Sequence, residues 1–197
     1  MAQIRGHVSR RTASRAKDCL TAQERRDQLV RMAVAEFAKR GLHATTTDSL
    51  AKSAGISQPV IYLHFPHKEA LFREAVQRNS AARAEAVERR IASISVRGTV
   101  DWIEHAVTAT VTACLSTHGG PRLMNWALLE LPDFGADVHR HEVCSVAAVW
   151  EREISLRTQQ GSGLPRTPDI GCAVQVCYPY AFWLDRSGIR TSRRLGR

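Results

Sequence analysis

Residues 46–68, TTDSLAKSAGISQPVIYLHFPHK, have the pattern of two short helices joined by a tight turn. Thr46 is a suitable N-cap for the first helix, because its hydroxyl can accept a hydrogen bond from a backbone N–H two or three residues on. Gly55 is placed to end that helix, since glycine adopts the left-handed conformation without a Cβ penalty. Ser57 is a candidate cap for the second helix, and Pro59 falls in its first turn, where a missing N–H costs nothing. The stretch therefore predicts a helix-turn-helix.

The second helix of this pair is predicted to have one apolar side and one exposed side. Ile61 and Phe65 are four residues apart and are expected to point inward. Tyr62, Leu63 and His64 are then left facing outward or sideways. A short helix with an exposed, hydrogen-bonding face is what recognition of a DNA groove requires.

The run AKSAGISQPVIYLHFPHKEALF, residues 51–72, resembles the signature of the TetR/AcrR family of tetracycline-repressor-like bacterial transcriptional regulators. The turn, the tyrosine, the His-Phe pair and the Lys-Glu opening of the next helix are spaced as in that family. The upstream run FAKRGLHATTT, residues 37–47, is similar too. The close resemblance covers roughly residues 22–75, and the remainder resembles the family only in length and helical texture.

The resemblance implies an all-α fold: an N-terminal three-helix helix-turn-helix domain that binds DNA, and a C-terminal helical bundle for ligand binding and dimerisation. A capping box of Thr21 and Glu24 predicts a first helix to about Arg40, which Gly41 ends. We divide the chain into a basic extension, a DNA-binding domain, a regulatory and dimerisation domain, and a basic tail. Their bounds are 1–20, 21–67, 68–186 and 187–197, with a fourth helix at about 68–94 connecting the two domains.

Four further helices are predicted in the C-terminal domain, at about 99–116, 122–131, 134–157 and 169–185, with a kink at Pro179 in the last. The helix at 99–116, with Thr99 as its cap, is expected to bury a side made of Ile103, Val107, Val111, Cys114 and Leu115. The resemblance implies a homodimer formed by the last two helices of each subunit. This sequence departs from that pattern, so the dimer is expected to use the helices at about 134–157 and 169–185, or to be weaker than is usual in the family.

The formal net charge of +9 is concentrated at the two ends of the chain. Residues 1–20 hold four arginines and one lysine against Asp18, and residues 186–197 hold five arginines and no acid. The residues between these segments sum to zero. Two basic ends on a neutral body suit a polyanionic partner such as duplex DNA. The alternative is a pair of solvated ends without a binding role.

The cysteines and the apolar runs indicate a reducing, aqueous compartment. Five cysteines form an odd set with no C-x-x-C pair, which favours thiols over a disulfide framework. The sequence contains no run of 18 apolar residues, so no membrane span is predicted. The N-terminus also lacks the apolar core of a secretory signal. With the family resemblance, these features place the protein in a bacterial cytoplasm, associated with the nucleoid when bound to DNA.

The resemblance also implies roles for individual residues in DNA binding. Thr46 and Thr47 would contact a phosphate at the start of the helix that Thr46 caps, and Tyr62 and Lys68 would contact the sugar–phosphate backbone. His64 would lie near a phosphate or support the recognition helix. The positions most exposed to bases are Gln58, Val60 and Leu63 of the recognition helix, and Pro59 in its first turn is a further expected DNA-binding residue.

The recognition helix carries no arginine or lysine, and guanine is most often read by arginine. Gln58 has the side chain for a bidentate pair with adenine, and Val60 and Leu63 can contact thymine methyl groups. We therefore expect a half-site that depends on A·T steps at this helix. The alternative for Leu63 is a residue that packs back on the first helix.

Aromatic and soft side chains of the C-terminal domain are candidates for an apolar effector pocket. The candidates are Trp102, His105, Met124, Trp126, Trp150 and Tyr178. Such residues more often form core than a ligand site, so the alternative for each is ordinary packing.

The sequence contains few motifs that would indicate a catalytic or metal-binding site. His139, His141 and Glu142 cluster in the sequence, but residues two positions apart on a helix do not share a face, so a metal site is not expected there. No H-E-x-x-H, nucleophile elbow or phosphate-binding loop is present. We expect no catalytic residue, metal or cofactor. The sequence is instead interpreted as a homodimeric repressor that a small-molecule effector releases from a palindromic operator. The alternatives are an effector-independent architectural DNA-binding protein and a thiol redox sensor acting through Cys19 in its basic neighbourhood.

Overall fold

The structure, a computed structural model, describes residues 21–96 and 98–159, with the backbone alone described at Thr99 and Val100. This part of the chain is helical and contains no strand. Its helices are α1 (Ala22–Ala44), α2 (Thr47–Ala54), α3 (Gln58–His64), α4 (Lys68–Ala92), α5 (Thr99–Ser116), α6 (Gly120–Glu130) and α7 (Pro132–Gln159). The all-α fold class is confirmed.

Local signals in the sequence locate the helix ends well near the N-terminus. Thr21 and Glu24 form the predicted capping box, with the Thr21 hydroxyl accepting from the Glu24 N–H. Thr46 caps α2 by accepting from the Ser49 N–H, and Gly55 ends it in the left-handed conformation at φ 66°. Ser57 occupies the N-cap position of α3, but its side chain makes no capping hydrogen bond. The His67 ring caps α4 by accepting from the Ala70 N–H at 3.0 Å.

Two hydrophobic cores organise the described residues. The first core joins α1, α2, α3 and the start of α4 with one side of α6, and it includes Phe37 and Phe72, whose rings meet edge to face at 5.0 Å. The second core joins the end of α4 with α5 and α7. We call α1–α3 the helix-turn-helix domain and α4–α7 the body. Because α4 lines both cores and α6 packs on α1, the two share continuous packing.

The buried side predicted for α5 is partly wrong. Ile103 is 39% exposed, whereas Trp102 is fully buried and lies edge to face against Trp150 at 5.7 Å between ring centroids. The large indole surface gains more from burial than an isoleucine does, so the helix is turned by one position. Cys114 is buried as predicted.

Several helix bounds differ from those predicted. The predicted break at Gly41 is present, with a non-helical φ of 77° and ψ of −177°, but one further turn of α1 follows it to Ala44. The helix predicted at about 134–157 begins at Pro132, because proline needs no N–H partner at the first helical position. The predicted helix at 169–185 and both basic ends lie outside the described residues.

Candidate nucleic-acid interface

α3 shows a sharp division between buried and exposed side chains. Ile61 and Phe65 are buried in the first core, as predicted. Tyr62 is 50% exposed and Leu63 is 82% exposed. Leu63 therefore does not pack back on α1. The predicted base-facing positions Gln58 and Pro59 are also exposed, so most of the outer face of α3 is open to a partner.

Val60 and His64 are the two exceptions on that face. Both are partly buried, at opposite ends of the short helix. Their side chains are thus shared between the outer surface and the packing beneath it. This fits the supporting role that was the alternative for His64.

Arg26 of α1 fixes the C-terminal end of α3, a contact that the sequence analysis missed. Its guanidinium lies 4.2 Å from the centroid of the Phe65 ring and donates to the His64 carbonyl oxygen at 2.6 Å. The same guanidinium forms an ion pair with Glu74 of α4. Because one rigid guanidinium joins three helices, the outer face of α3 has a defined orientation. The residues are far apart in sequence, so periodicity alone could not show the contact.

A second ion pair joins α1 to α4 beside the first. Arg78 pairs with Asp27 of α1 and, at 2.5 Å, with Glu74. The hydrogen bond from Arg78 is the main reason that the pKa of Asp27 lies below its ordinary value. These contacts link α1 and α4 along the side of the helix-turn-helix domain.

The start of α2 carries the predicted phosphate-contacting residues. Thr46 is exposed, and Thr47, the first residue of α2, is partly buried. Lys68 lies against the same corner, where its ammonium donates to the carbonyl oxygen of Thr45 at 2.7 Å and to that of His43 at 3.4 Å. The ammonium therefore stands beside the positive end of α2 and also ties the corner between α1 and α2 to α4.

The structure divides the predicted pocket residues between the two cores. Trp102 and Trp150 pack together in the second core, and the Trp150 N–H donates to the Thr110 hydroxyl at 3.2 Å. Met124 and Trp126 belong to the first core. His105 is exposed, and Tyr178 lies outside the described residues. The four described tryptophan and methionine candidates are therefore split between two cores.

The His139, His141 and Glu142 cluster is not assembled around a metal. Glu142 is buried and paired with Arg83 of α4 through two contacts of 2.6 Å. Within the described ranges, no group of three potential metal-ligating side chains lies together. No helix in the same ranges is long and apolar enough to cross a membrane. Of the cysteines, Cys114 is buried, Cys144 is exposed, and Cys19 lies outside the described residues.

Comparison with known proteins gives a consistent result. Residues 29–75, from α1 into α4, match the family model described as bacterial regulatory proteins, tetR family. The HTH-type transcriptional activator FasR of Mycolicibacterium smegmatis is 34% identical over 113 residues, which cover 53% of this chain and 52% of FasR. The HTH-type transcriptional repressor KstR2 of the same species is 45% identical over 53 residues, 27% of this chain and 26% of KstR2. The matches thus span about half of FasR and a quarter of KstR2.

The fold agrees over a longer part of the chain. The crystal structure of PfmR from Thermus thermophilus, a TetR-family transcriptional regulator, matches with a TM-score of 0.58 and 19% identity, over 82% of this chain and 86% of PfmR. The family-model match falls on the helix-turn-helix and the start of α4, and the fold match extends into the rest of the chain. The helix-turn-helix part of the chain, residues 29–75, is therefore similar to the tetR family of bacterial regulatory proteins.

Proposed function

We propose that this protein is a sequence-specific transcriptional regulator that binds duplex DNA through α3 as a homodimer. The exposed face of α3 carries this proposal. Gln58, Tyr62 and Leu63 face outward there, while Arg26 and the first core fix the helix beneath them. A rigid helix with an exposed mixture of amide, phenol and apolar groups has the chemistry to enter a major groove.

The contacts divide into those that position the protein and those that specify sequence. Tyr62, Thr46 and Thr47 supply hydroxyl groups for phosphates, and Lys68 adds a positive charge beside the start of α2. Gln58, Val60 and Leu63 face base edges and favour A·T steps. In a dimer, two copies of α3 would occupy successive major grooves of a palindrome, about 34–36 Å apart.

A small-molecule effector in the body completes the proposal. α4 lines both cores, so a ligand that favours one packing of α4, α5 and α7 would change the placement of the DNA-binding domain. Such a ligand can shift DNA affinity only by its differential affinity for the two conformations. Of the two curated relatives, FasR is named an activator and KstR2 a repressor. We favour repression in a bacterial cytoplasm, with the effector releasing the operator.

Two substitutions on α3 separate positioning from specificity. Tyr62→Phe removes one hydroxyl and should weaken binding to every duplex alike, by about 1 kcal/mol. Gln58→Ala should cost about 1–3 kcal/mol against the preferred site and relax the preference at its A·T position. The measurement is fluorescence anisotropy with a duplex selected by the wild-type protein from a random pool, beside its scrambled counterpart.

Each variant serves as the control for the other, because the side chains lie on the same helix. A selected site dominated by guanine contacts at the centre of the groove would contradict the A·T assignment. Equal affinity of the wild-type protein for selected and scrambled duplexes would contradict sequence-specific regulation itself.

A further inference from the structure

The corner between α1 and α2 begins at a kink inside α1. Gly41 has φ 77° and ψ −177°, a left-handed conformation outside the helical range. The N–H groups of Leu42 and His43 follow this kink. A single carboxylate accepts from both of them: Glu130 of α6, at 2.5 Å from the Leu42 nitrogen and 3.2 Å from the His43 nitrogen.

The kink is closely covered by the last turns of α6. A Cβ atom at Gly41 would lie 2.8 Å from a carboxylate oxygen of Glu130 and 2.8 Å from the ring of Trp126. The indole N–H of Trp126 donates to the carbonyl oxygen of Ala38, at 3.3 Å, on the helical side of the kink. Two neighbouring residues of α6 therefore hold the backbone of α1 on both sides of Gly41.

The same corner is held from the other side by α4. Lys68 donates to the carbonyl oxygens of Thr45 and His43. The buried Thr45 hydroxyl donates to the carbonyl oxygen of Gly41 at 2.6 Å. The segment that leads into α2 thus lies between an anion on α6, which takes its N–H groups, and a cation on α4, which takes its carbonyl oxygens.

α6 is itself fixed tightly to the body. Gly135 of α7 crosses α6 so closely that a Cβ atom there would lie 2.6 Å from the backbone of Ala127. At the other end of α6, the Asn79 amide of α4 donates to the His118 carbonyl oxygen at 3.2 Å. A change in the packing of α4 and α7 therefore moves α6, and the carboxylate at its C-terminal end moves with it.

We propose that Glu130 is a positioning residue through which α6 sets the placement of the helix-turn-helix. This inference rests on the proposed DNA-binding function. Hydrogen bonds to a carboxylate are strong but weaken steeply with distance and angle. A displacement of α6 by about 1 Å away from α1 would break the longer His43 bond and stretch the Leu42 bond beyond normal hydrogen-bond length. The start of α2 would then lose most of its support from α6.

Glu130→Gln tests the inference with little change in shape. A carboxamide has one acceptor oxygen, and its NH₂ group would face a backbone N–H, so the variant keeps at most one of the two bonds. We expect about tenfold weaker binding to a duplex selected by the wild-type protein. We also expect faster amide hydrogen exchange at Leu42 and His43, measured by NMR on the full chain.

The sign of the affinity change separates positioning from charge. Removal of a negative charge from a protein that binds DNA should by itself tighten binding to any duplex. Glu85→Gln, at an exposed glutamate of α4 in a surface pair with Arg89, is the matched control for the charge. It should bind at least as tightly as the wild type, and its Leu42 and His43 exchange should be unchanged.

The inference is overturned if Glu130→Gln binds the selected duplex as tightly as Glu85→Gln, or if exchange at Leu42 and His43 stays at the wild-type rate. Should Glu130→Gln fail to fold, Glu130→Asp keeps the charge but draws the carboxylate back by one methylene; wild-type affinity and exchange in that variant also overturn it. A wild-type protein that selects no duplex contradicts the proposed function instead, and the exchange rates then decide the role of Glu130 alone.

Discussion

At the scale of single residues, the side chains that orient the outer face of α3 and the start of α2 are charged groups that bind other parts of the chain. The Arg26 guanidinium contacts the Phe65 ring, donates to the His64 carbonyl oxygen and pairs with Glu74. The Lys68 ammonium donates to two backbone carbonyl oxygens. The resemblance assigned Lys68 to DNA alone. An ammonium has three donors, so the two roles are compatible, and substitution of Lys68 would affect both the α1–α2 corner and the phosphate contact.

The ion pair of Arg83 and Glu142 is the most deeply buried charged contact among the described residues, with 2% and 1% of each residue exposed. The Ser80 hydroxyl donates to the same carboxylate at 2.6 Å, and Asn79 accepts from Arg83 at 2.5 Å. Glu142→Gln removes the carboxylate that faces Arg83 and should destabilise the fold by about 3–5 kcal/mol, measured by urea denaturation. The double variant Arg83→Met/Glu142→Leu should lose less free energy of unfolding than the sum of the losses in Arg83→Met and Glu142→Leu.

The exposed pair of Arg152 and Glu88 is the control for this effect. It also joins α7 to α4, but both side chains are about half exposed, so Arg152→Ala should cost less than about 1 kcal/mol. Strict additivity in the double variant, or an equal cost for Arg152→Ala, would show that burial does not set the energy of the inner pair.

At the scale of elements, the features that the sequence predicted correctly are those determined by a few neighbouring residues. The Thr21–Glu24 capping box, the Thr46 cap and the Gly55 terminus each act over a single turn, so the sequence alone located them. Which side of α5 is buried depends on the helices that it packs against. The sequence predicted that Ile103 would be buried, whereas Trp102 is buried instead. Contacts such as Glu130 with Leu42 join residues 88 positions apart and leave no periodic signal.

The link between α1 and α4 should make stability depend on acid. Arg78 lowers the pKa of Asp27 from its ordinary value of 3.8, so the folded state binds the proton less readily than the unfolded state. The stabilisation is present above the unfolded pKa and is lost as the pH falls through the folded pKa. Asp27→Asn should therefore lower the melting temperature at pH 7 and make it fall less steeply below about pH 4.

Thermal melts of both proteins between pH 7 and pH 2 measure this difference. Asp137→Asn on α7 controls for the loss of one surface carboxylate, because Asp137 pairs only across an exposed turn with Arg140. Parallel melting curves for wild type and Asp27→Asn over the whole range would show that the Asp27 and Arg78 pair contributes nothing to stability.

At the scale of the whole molecule, the described residues join the helix-turn-helix domain to the C-terminal helices at two places. α4, 25 residues long, lines both cores, and α6 holds the kink of α1. Two attachments fix the orientation of the recognition helix better than one, since a single helix would still allow rotation about its axis. The dimer expected from α7 and the segment at 169–185 would then set the distance between the helix-turn-helix domains of the two subunits.

The distribution of charge decides between a regulator and an architectural DNA-binding protein. The basic segments 1–20 and 186–197 carry the whole net charge of +9, and the chain between them is neutral. Charge that contacts phosphates adds affinity for every sequence and steepens the salt dependence, by about 0.9 in slope for each contact. Specificity, in contrast, is expected from the outer face of α3.

Removal of residues 1–20 and 187–197 should therefore weaken binding to selected and scrambled duplexes by the same factor and flatten the salt dependence. The ratio of the two affinities should stay as in the full chain, because Gln58, Val60 and Leu63 remain in place on α3. Titrations at several salt concentrations measure both quantities. If the ratio instead falls to one, the basic ends and not α3 carry recognition, and the architectural alternative is the better account of this protein.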